Sequence, residues 1–182
     1  MPQTPAPDAT VPQPSAPVSA SVAAACQNTE LTPEPGNIPL VRTAVLCLIN
    51  RERGAHGEPA LIANTDLQDA AEGHTAELVA DDYFAYVSPS GETPVDRIRE
   101  TGYIPGPADG YVIGENLAWG TLSLSTPRTI VAAWVASPEH LANILEGQYV
   151  DTGIGVTPAV PAIDSAGQAG ATYAEEFGTI IP

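Results

Sequence analysis

Apolar and polar residues follow two rhythms along this chain. From residue 37 to 136 most apolar positions recur at spacings of three and four, the period of a helix with one buried face. A first helix starts at Asn37, a good N-cap, with Pro39 in its first turn. Leu40, Ala44, Cys47 and Leu48 form one stripe on it, with Val41 and Val45 alongside, and Gly54 and Gly57 end it. A second helix opens at Thr65, with Gln68 three residues on as a capping box. Leu67, Ala70, Ala71, His74 and Leu78 share a face of it. A shorter helix runs from Thr93-Pro94 to Gly102. A fourth starts at Thr126-Pro127, carries Ile130, Val131, Trp134 and Val135, and stops before Pro138, because the residue ahead of a proline disfavours helix.

The other rhythm marks strands at Tyr111 to Ala118, Gly153 to Val156 and Ala171 to Phe177. Gly155, inside a strand, signals a bulge or a close backbone approach. Helices come mostly first and strands mostly late, which predicts an α+β layering rather than a doubly wound parallel sheet. Residues 1–36 differ from the rest. Up to about residue 25 they are Pro, Ala, Ser, Gln and Thr, too poor in large apolar groups to offset the entropy of ordering, and a second Pro-rich patch follows at Thr32 to Gly36. The expected organisation is a disordered tether over 1–36 and one folded domain over 37–182.

Composition narrows the function classes. The 182 residues carry a net charge of −16, from 22 acids against 6 arginines with no lysine. Such a chain lacks the cations that nucleic acid or an anionic lipid surface requires. No stretch approaches the 18 apolar residues of a transmembrane helix. The N-terminus has no basic region and makes a poor signal peptide; Ala23-Ala24-Ala25-Cys26 has only a loose likeness to a lipid-attachment site. The two cysteines, Cys26 and Cys47, are either unrelated thiols or one disulfide. A free thiol at the edge of a tether is the poorer reading, so a bond and an oxidising compartment are expected.

Chemistry concentrates in Gly114-Glu115-Asn116-Leu117-Ala118-Trp119 and in Trp134-x-x-Ser137-Pro138-x-His140. A close-turning Gly, a carboxylate and an amide set among apolar residues suit a lined pocket. They point to a pocket more firmly than to a reaction. Ser137 lacks an oriented third partner for a nucleophile. Glu115 lacks the opposed carboxylate of a glycosidase, since Glu92 and Glu139 fall in expected turns. His74 reads as a hydrogen-bonded core residue, His56 as exposed, and Glu175-Glu176 as a solvated strand edge.

The order of several short motifs resembles a known family. They are Leu48-Ile49-Asn50-Arg51-Glu52-Arg53, Ala70-Ala71-x-x-His74, Tyr83-Phe84, Ser88-Pro89-x-Gly91, Asp96-Arg97-Ile98, Gly102-Tyr103, Gly114-Glu115-Asn116, the Trp134–His140 segment, Asn143-Ile144-Leu145, Gly153-Ile154-Gly155-Val156 and Phe177-Gly178. Together, over about residues 38 to 178, they resemble the bacterial branch of the CAP or SCP superfamily (cysteine-rich secretory proteins, antigen 5 and pathogenesis-related 1). The resemblance implies an α-β-α sandwich with a mainly antiparallel sheet, and a secreted or envelope location. It also implies a cavity that in many members holds two His and two Glu and a divalent metal. Carried over residue by residue, Tyr86 stands at the first His position, Glu115 at the first Glu, Ala132 at the second Glu and His140 at the second His. Two ligands fall short of the three or four that zinc takes from a protein, so no metal cofactor is expected beyond weak binding at Glu115 and His140. The expected cavity residues are Tyr86, Glu115, Asn116 and His140, in a groove with Tyr111, Trp119 and Trp134. Most consistent is a monomeric, non-enzymatic domain that binds a small apolar ligand, such as a lipid, a cell-wall glycan or a protein partner. A weakly metal-dependent hydrolase using Glu115 and His140, and a purely structural envelope domain, are the alternatives.

Overall fold

The computed structural model describes residues 25–106 and 110–181. In chain order the regular elements are α1 (Ile38–Ala55), β1 (Ile62–Ala63), α2 (Thr65–Ala80), α3 (Pro94–Glu100), β2 (Gly110–Thr121), a 3₁₀ turn (Leu122–Ser125), α4 (Pro127–Ala136), α5 (Pro138–Ile144), β3 (Asp151–Thr157), α6 (Ala162–Ser165) and β4 (Gly170–Ile181). The strands form one sheet in the order β1-β3-β4-β2. Both pairings of β4 are antiparallel, and the two-residue β1 adds to β3 in parallel.

Helices cover both faces of the sheet, giving the expected α-β-α sandwich. On one face Ile154, Val156, Tyr173 and Phe177 pack with Val41, Val45, Leu48 and Ile49 of α1 and Ile130, Val131 and Trp134 of α4. On the other, Leu117 and Ala174 meet Ala71 and Leu78 of α2, while Leu67 and Ala70 of α2 meet Ile98 of α3. The glycines in β3 set the distance between sheet and α2. A Cβ on Gly153 would stand 2.0 Å from the Gln68 backbone nitrogen, and one on Gly155 2.2 Å from the Ala71 carbonyl carbon. Close approach, rather than a bulge, is therefore the role of Gly155.

Several helix starts differ in detail from the sequence expectation. Asn37 does hold the N-cap position of α1, but its side chain turns back to the preceding loop, accepting from Glu34 N and donating to Thr32 O. Leu40 is half exposed, and the buried stripe of α1 runs instead through Val41, Ala44, Val45, Leu48, Ile49 and Arg53. The helix α2 opens at Thr65 as expected, but its cap is Asn64, which accepts from Asp66 N and Leu67 N, one residue before the expected box. The capping box of α3 is formed by Thr93 and Asp96. Pro138 ends α4 as expected and then opens α5, because proline suits the first turn of a helix.

Cys26 and Cys47 are disulfide-bonded, with Cα atoms 5.7 Å apart. The bond ties residues 25–36 to α1. Thr29 is buried there, and Arg128 of α4 holds it through its backbone N–H and a guanidinium nitrogen, both at 3.0 Å. The last third of the expected tether thus lies against the domain, while residues 1–24 fall outside the described ones. Among the described residues no helix is long and apolar enough to cross a membrane.

Candidate functional site

The 12-residue strand β2 presents alternate residues to opposite faces, and this separates Glu115 from Asn116. Glu115 points to the α2 side. Its Oε1 meets His74 Nδ1 at 2.5 Å and its Oε2 accepts from Arg97 Nη2 at 3.2 Å. All three side chains are buried. His74 comes from α2 and Arg97 from α3, so Glu115 joins three elements. The same Arg97 Nη2 donates to Tyr86 O at 2.7 Å, in the loop after α2. Tyr86 Oη lies 3.3 Å from His140 Nε2 in α5.

Tyr86, Glu115 and His140 are therefore linked in one hydrogen-bonded chain, with Arg97 as the joint. Their exposure differs sharply. Glu115 is 6% exposed, whereas Tyr86 is 44% exposed, flanked by Phe84 at 38% and Val87 at 48%. Burial lowers the His140 imidazole below its ordinary value, against the smaller pull of Glu139. Burial, then the Glu115 and Glu139 charges, raise the Tyr86 phenol. A partly buried neutral imidazole and a half-exposed neutral phenol thus lie side by side at neutral pH.

Asn116 has a different task. It faces away from Glu115, donates to His140 O at 3.1 Å and accepts from Asn143 Nδ2 at 2.9 Å. Asn143 also donates to Glu115 O at 3.1 Å. Asn116 therefore seats α5, and with it His140, on the edge strand β2. Trp134 is buried in the α1 and α4 core, where its indole N–H donates to Leu117 O at 3.0 Å. Tyr111 packs with the Leu67 and Ile98 cluster on the opposite face, under the Arg99 guanidinium. The expected groove of Tyr86, Tyr111, Trp119 and Trp134 does not form, because the sheet stands between Tyr111 and Trp134.

Two acids also correct the sequence reading. Glu175 and Glu176 are fully buried, not a solvated edge, because β4 has strands on both sides and helices over both faces. They point to opposite faces. Glu175 Oε1 accepts from Thr152 Oγ1 at 3.3 Å, and burial pushes its carboxyl up to about 8, against that bond and the Arg53 charge. Glu176 pairs across the ladder with Glu115. His74, Glu115 and Glu176 each place one potential ligand atom within 4.8 Å of the others. The sequence singles out Glu115 as a cavity acid and His74 as a core residue, but not Arg97 or Glu176. The alternation of Ala174 with Glu176 was the available signal, but the centrality of β4 was not visible in it.

The divalent metal that the family resemblance implies does not fit the residues at the carried-over positions. Ala132 is exposed and lies near Leu48 and Arg51, on the α1 side of the sheet. Both Glu115 oxygens are engaged, and His140 Nε2 faces Tyr86.

An α-β-α sandwich with a buried acid-histidine centre beneath a half-exposed aromatic loop is the class these observations define. The family model described as the cysteine-rich secretory protein family, CAP, matches residues 46–160. The chain belongs to the CAP family. It is 29% identical over 124 residues to the Bacillus subtilis protein YkwD, covering 68% of this chain and 45% of YkwD. It is also 29% identical over 112 residues to the Bacillus subtilis membrane protein YlbC, covering 62% of this chain and 30% of YlbC. The chain thus spans less than half the length of these curated relatives. Among solved structures, an extracellular SCP-domain protein from Bacillus anthracis superposes with a TM-score of 0.61 at 23% identity, covering 80% of this chain and 43% of that one. An outer surface protein of Borrelia burgdorferi also reaches 0.61, at 16% identity, covering 82% of this chain and 98% of that one. At these identities the likeness is one of fold.

Proposed function

We propose that the domain is a non-enzymatic binding module of the bacterial cell exterior, and that Tyr86 and His140 form the centre of its binding surface. One observation carries this reading. The acid that catalysis would call on, Glu115, is buried with both oxygens bonded, while the groups left facing solvent are aromatic, apolar and imidazole. Such a surface suits a ligand with an apolar face and hydrogen-bonding edges. A sugar ring of a cell-wall glycan has that chemistry; a lipid or an apolar protein segment shares only the first part of it. The disulfide and the printed descriptions of the extracellular and outer-surface structural neighbours support a location outside the cytoplasm. In this reading the residues ahead of Cys26 tether a monomeric domain to the envelope.

Calorimetric titration of the whole chain with soluble cell-wall glycan fragments and with fatty-acid micelles tests the proposal. Saturable binding to one of them, weakened at least tenfold by Tyr86→Ala, is the expected result. Flat titrations with every class, or equal affinity in the variant, would remove it. A second reading, the weakly metal-dependent hydrolase, has one observation in its favour: burial keeps His140 neutral, with Nε2 turned toward a half-exposed hydroxyl. It expects a saturable zinc heat in the wild type that His140→Ala abolishes.

A further inference from the structure

Glu115 and Glu176 stand directly opposite each other on β2 and β4, so both side chains project to the α2 side of the sheet. Their donors are unequally shared. Glu115 receives His74 at one oxygen and Arg97 at the other. Glu176 is completely buried, and among the described residues neither of its oxygens meets a donor. Among the described residues, His74 of α2, Arg97 of α3 and Glu115 of β2 stand around it, and neither His74 Nε2 nor Arg97 Nε reaches its oxygens. On its other flank Glu176 pairs with Gly153 of β3, which has no side chain to offer. Glu175 points to the opposite face. A buried carboxylate with no hydrogen bond, beside a second carboxylate, is too costly for one guanidinium already bonded elsewhere to offset.

We propose that Glu115 and Glu176 share a single proton at neutral pH, Glu115 as the carboxylate and Glu176 as the acid, and that this proton locks β2 to β4 until alkaline pH removes it. As an acid, Glu176 gains an O–H donor, and a carboxylate has lone pairs to spare beyond those His74 and Arg97 use. Repulsion across the ladder becomes a charge-assisted hydrogen bond. Burial first, then the Glu115 charge, push the Glu176 carboxyl well above the usual carboxylate range, with Arg97 acting against them. A divalent cation between the two acids would sit beside the Arg97 guanidinium, against its charge. The proton requires no rearrangement. When it leaves to solvent base, two carboxylates remain around one arginine. The lock holds irrespective of any ligand at Tyr86.

Infrared spectroscopy of the full chain at pH 7 tests this through the carbonyl stretch of protonated carboxyl groups, which is separate from the carboxylate bands. The wild type is expected to show two buried acid signals. Glu175→Gln removes one, and Glu176→Gln removes the other. A spectrum unchanged by Glu176→Gln overturns the proposal. Should that variant not fold, Glu115→Gln answers instead. Loss of the neighbouring charge must lower the pH at which Glu176 loses its signal relative to the wild-type value, and an unchanged or raised pH overturns the proposal. Calcium or zinc chloride at neutral pH is expected to leave the signal intact. Its disappearance with one equivalent of either would place a cation where the proton is proposed, and would also overturn it.

Discussion

Burial gives individual side chains of this chain properties that their residue types do not announce. Glu175 is the clearest case. Unfolded, its carboxyl ionises near the ordinary glutamate value; folded, burial pushes it up to about 8. Below about pH 4.5 both states hold the proton, and its contribution to stability is fully present. As pH rises toward 8 the unfolded state binds fewer protons than the folded one, so stability falls, by an amount on the order of a few kcal/mol. Above 8 the loss is complete. Glu175→Gln is therefore expected to flatten part of the decline between pH 4.5 and 8 in chemical-denaturation curves. The variant should be more stable than the wild type at pH 8 and about equal to it at pH 4. Parallel curves for the two proteins would contradict this. The sequence shows the residues of the site unevenly at this scale. Glu115 and His140 stand in recognisable segments and do join one network. His74 looks like a core residue and is one, but its ring meets Glu115. Glu176 was unreadable, because whether a strand acid is buried depends on its neighbours in the sheet.

At the scale of elements, periodicity and caps made most of the architecture legible. The strands over 111–118, 153–156 and 171–177 lie inside β2, β3 and β4, and four helices lie close to their expected places. What stayed hidden has local causes. The two residues of β1 are too few to show alternation, and α5 is a helix that begins at the proline that ends α4. Gly155 was legible as a close approach but not as to its partner. Its Cβ would meet the α2 backbone rather than a movable side chain, so α2 or β3 must shift to admit it. Gly155→Ala is expected to cost about 1–3 kcal/mol or more, the range for overpacking, read as a lower denaturation midpoint at an unchanged slope. Stability equal to the wild type would mean that α2 does not rest on β3 as described.

For the molecule as a whole, the disulfide and the sandwich act together. Cys26 pins residues 25–36 onto α1, and Thr29 continues the attachment to α4 through Arg128. In the chain-entropy description, a loop of this size contributes about 3 kcal/mol. Reduction should therefore lower the thermal midpoint by several degrees, and Cys26→Ser should match the reduced wild type. An unchanged midpoint would contradict a closed bond. The order of motifs in the sequence pointed to Tyr86, Glu115 and His140, which one hydrogen-bonded chain links, yet it could not reveal that Glu115 turns inward while Tyr86 and His140 lie nearer the surface. That division of labour follows from which side of β2 each element covers. The measurement that tests it most directly is an NMR titration of the isotope-labelled chain with soluble cell-wall glycan fragments, followed at the His140 and His74 imidazoles. His140 is expected to shift and saturate with ligand while His74, sealed against Glu115, stays fixed. Movement of His74 with His140 unmoved, or no movement of either, would contradict a binding surface centred on Tyr86 and His140.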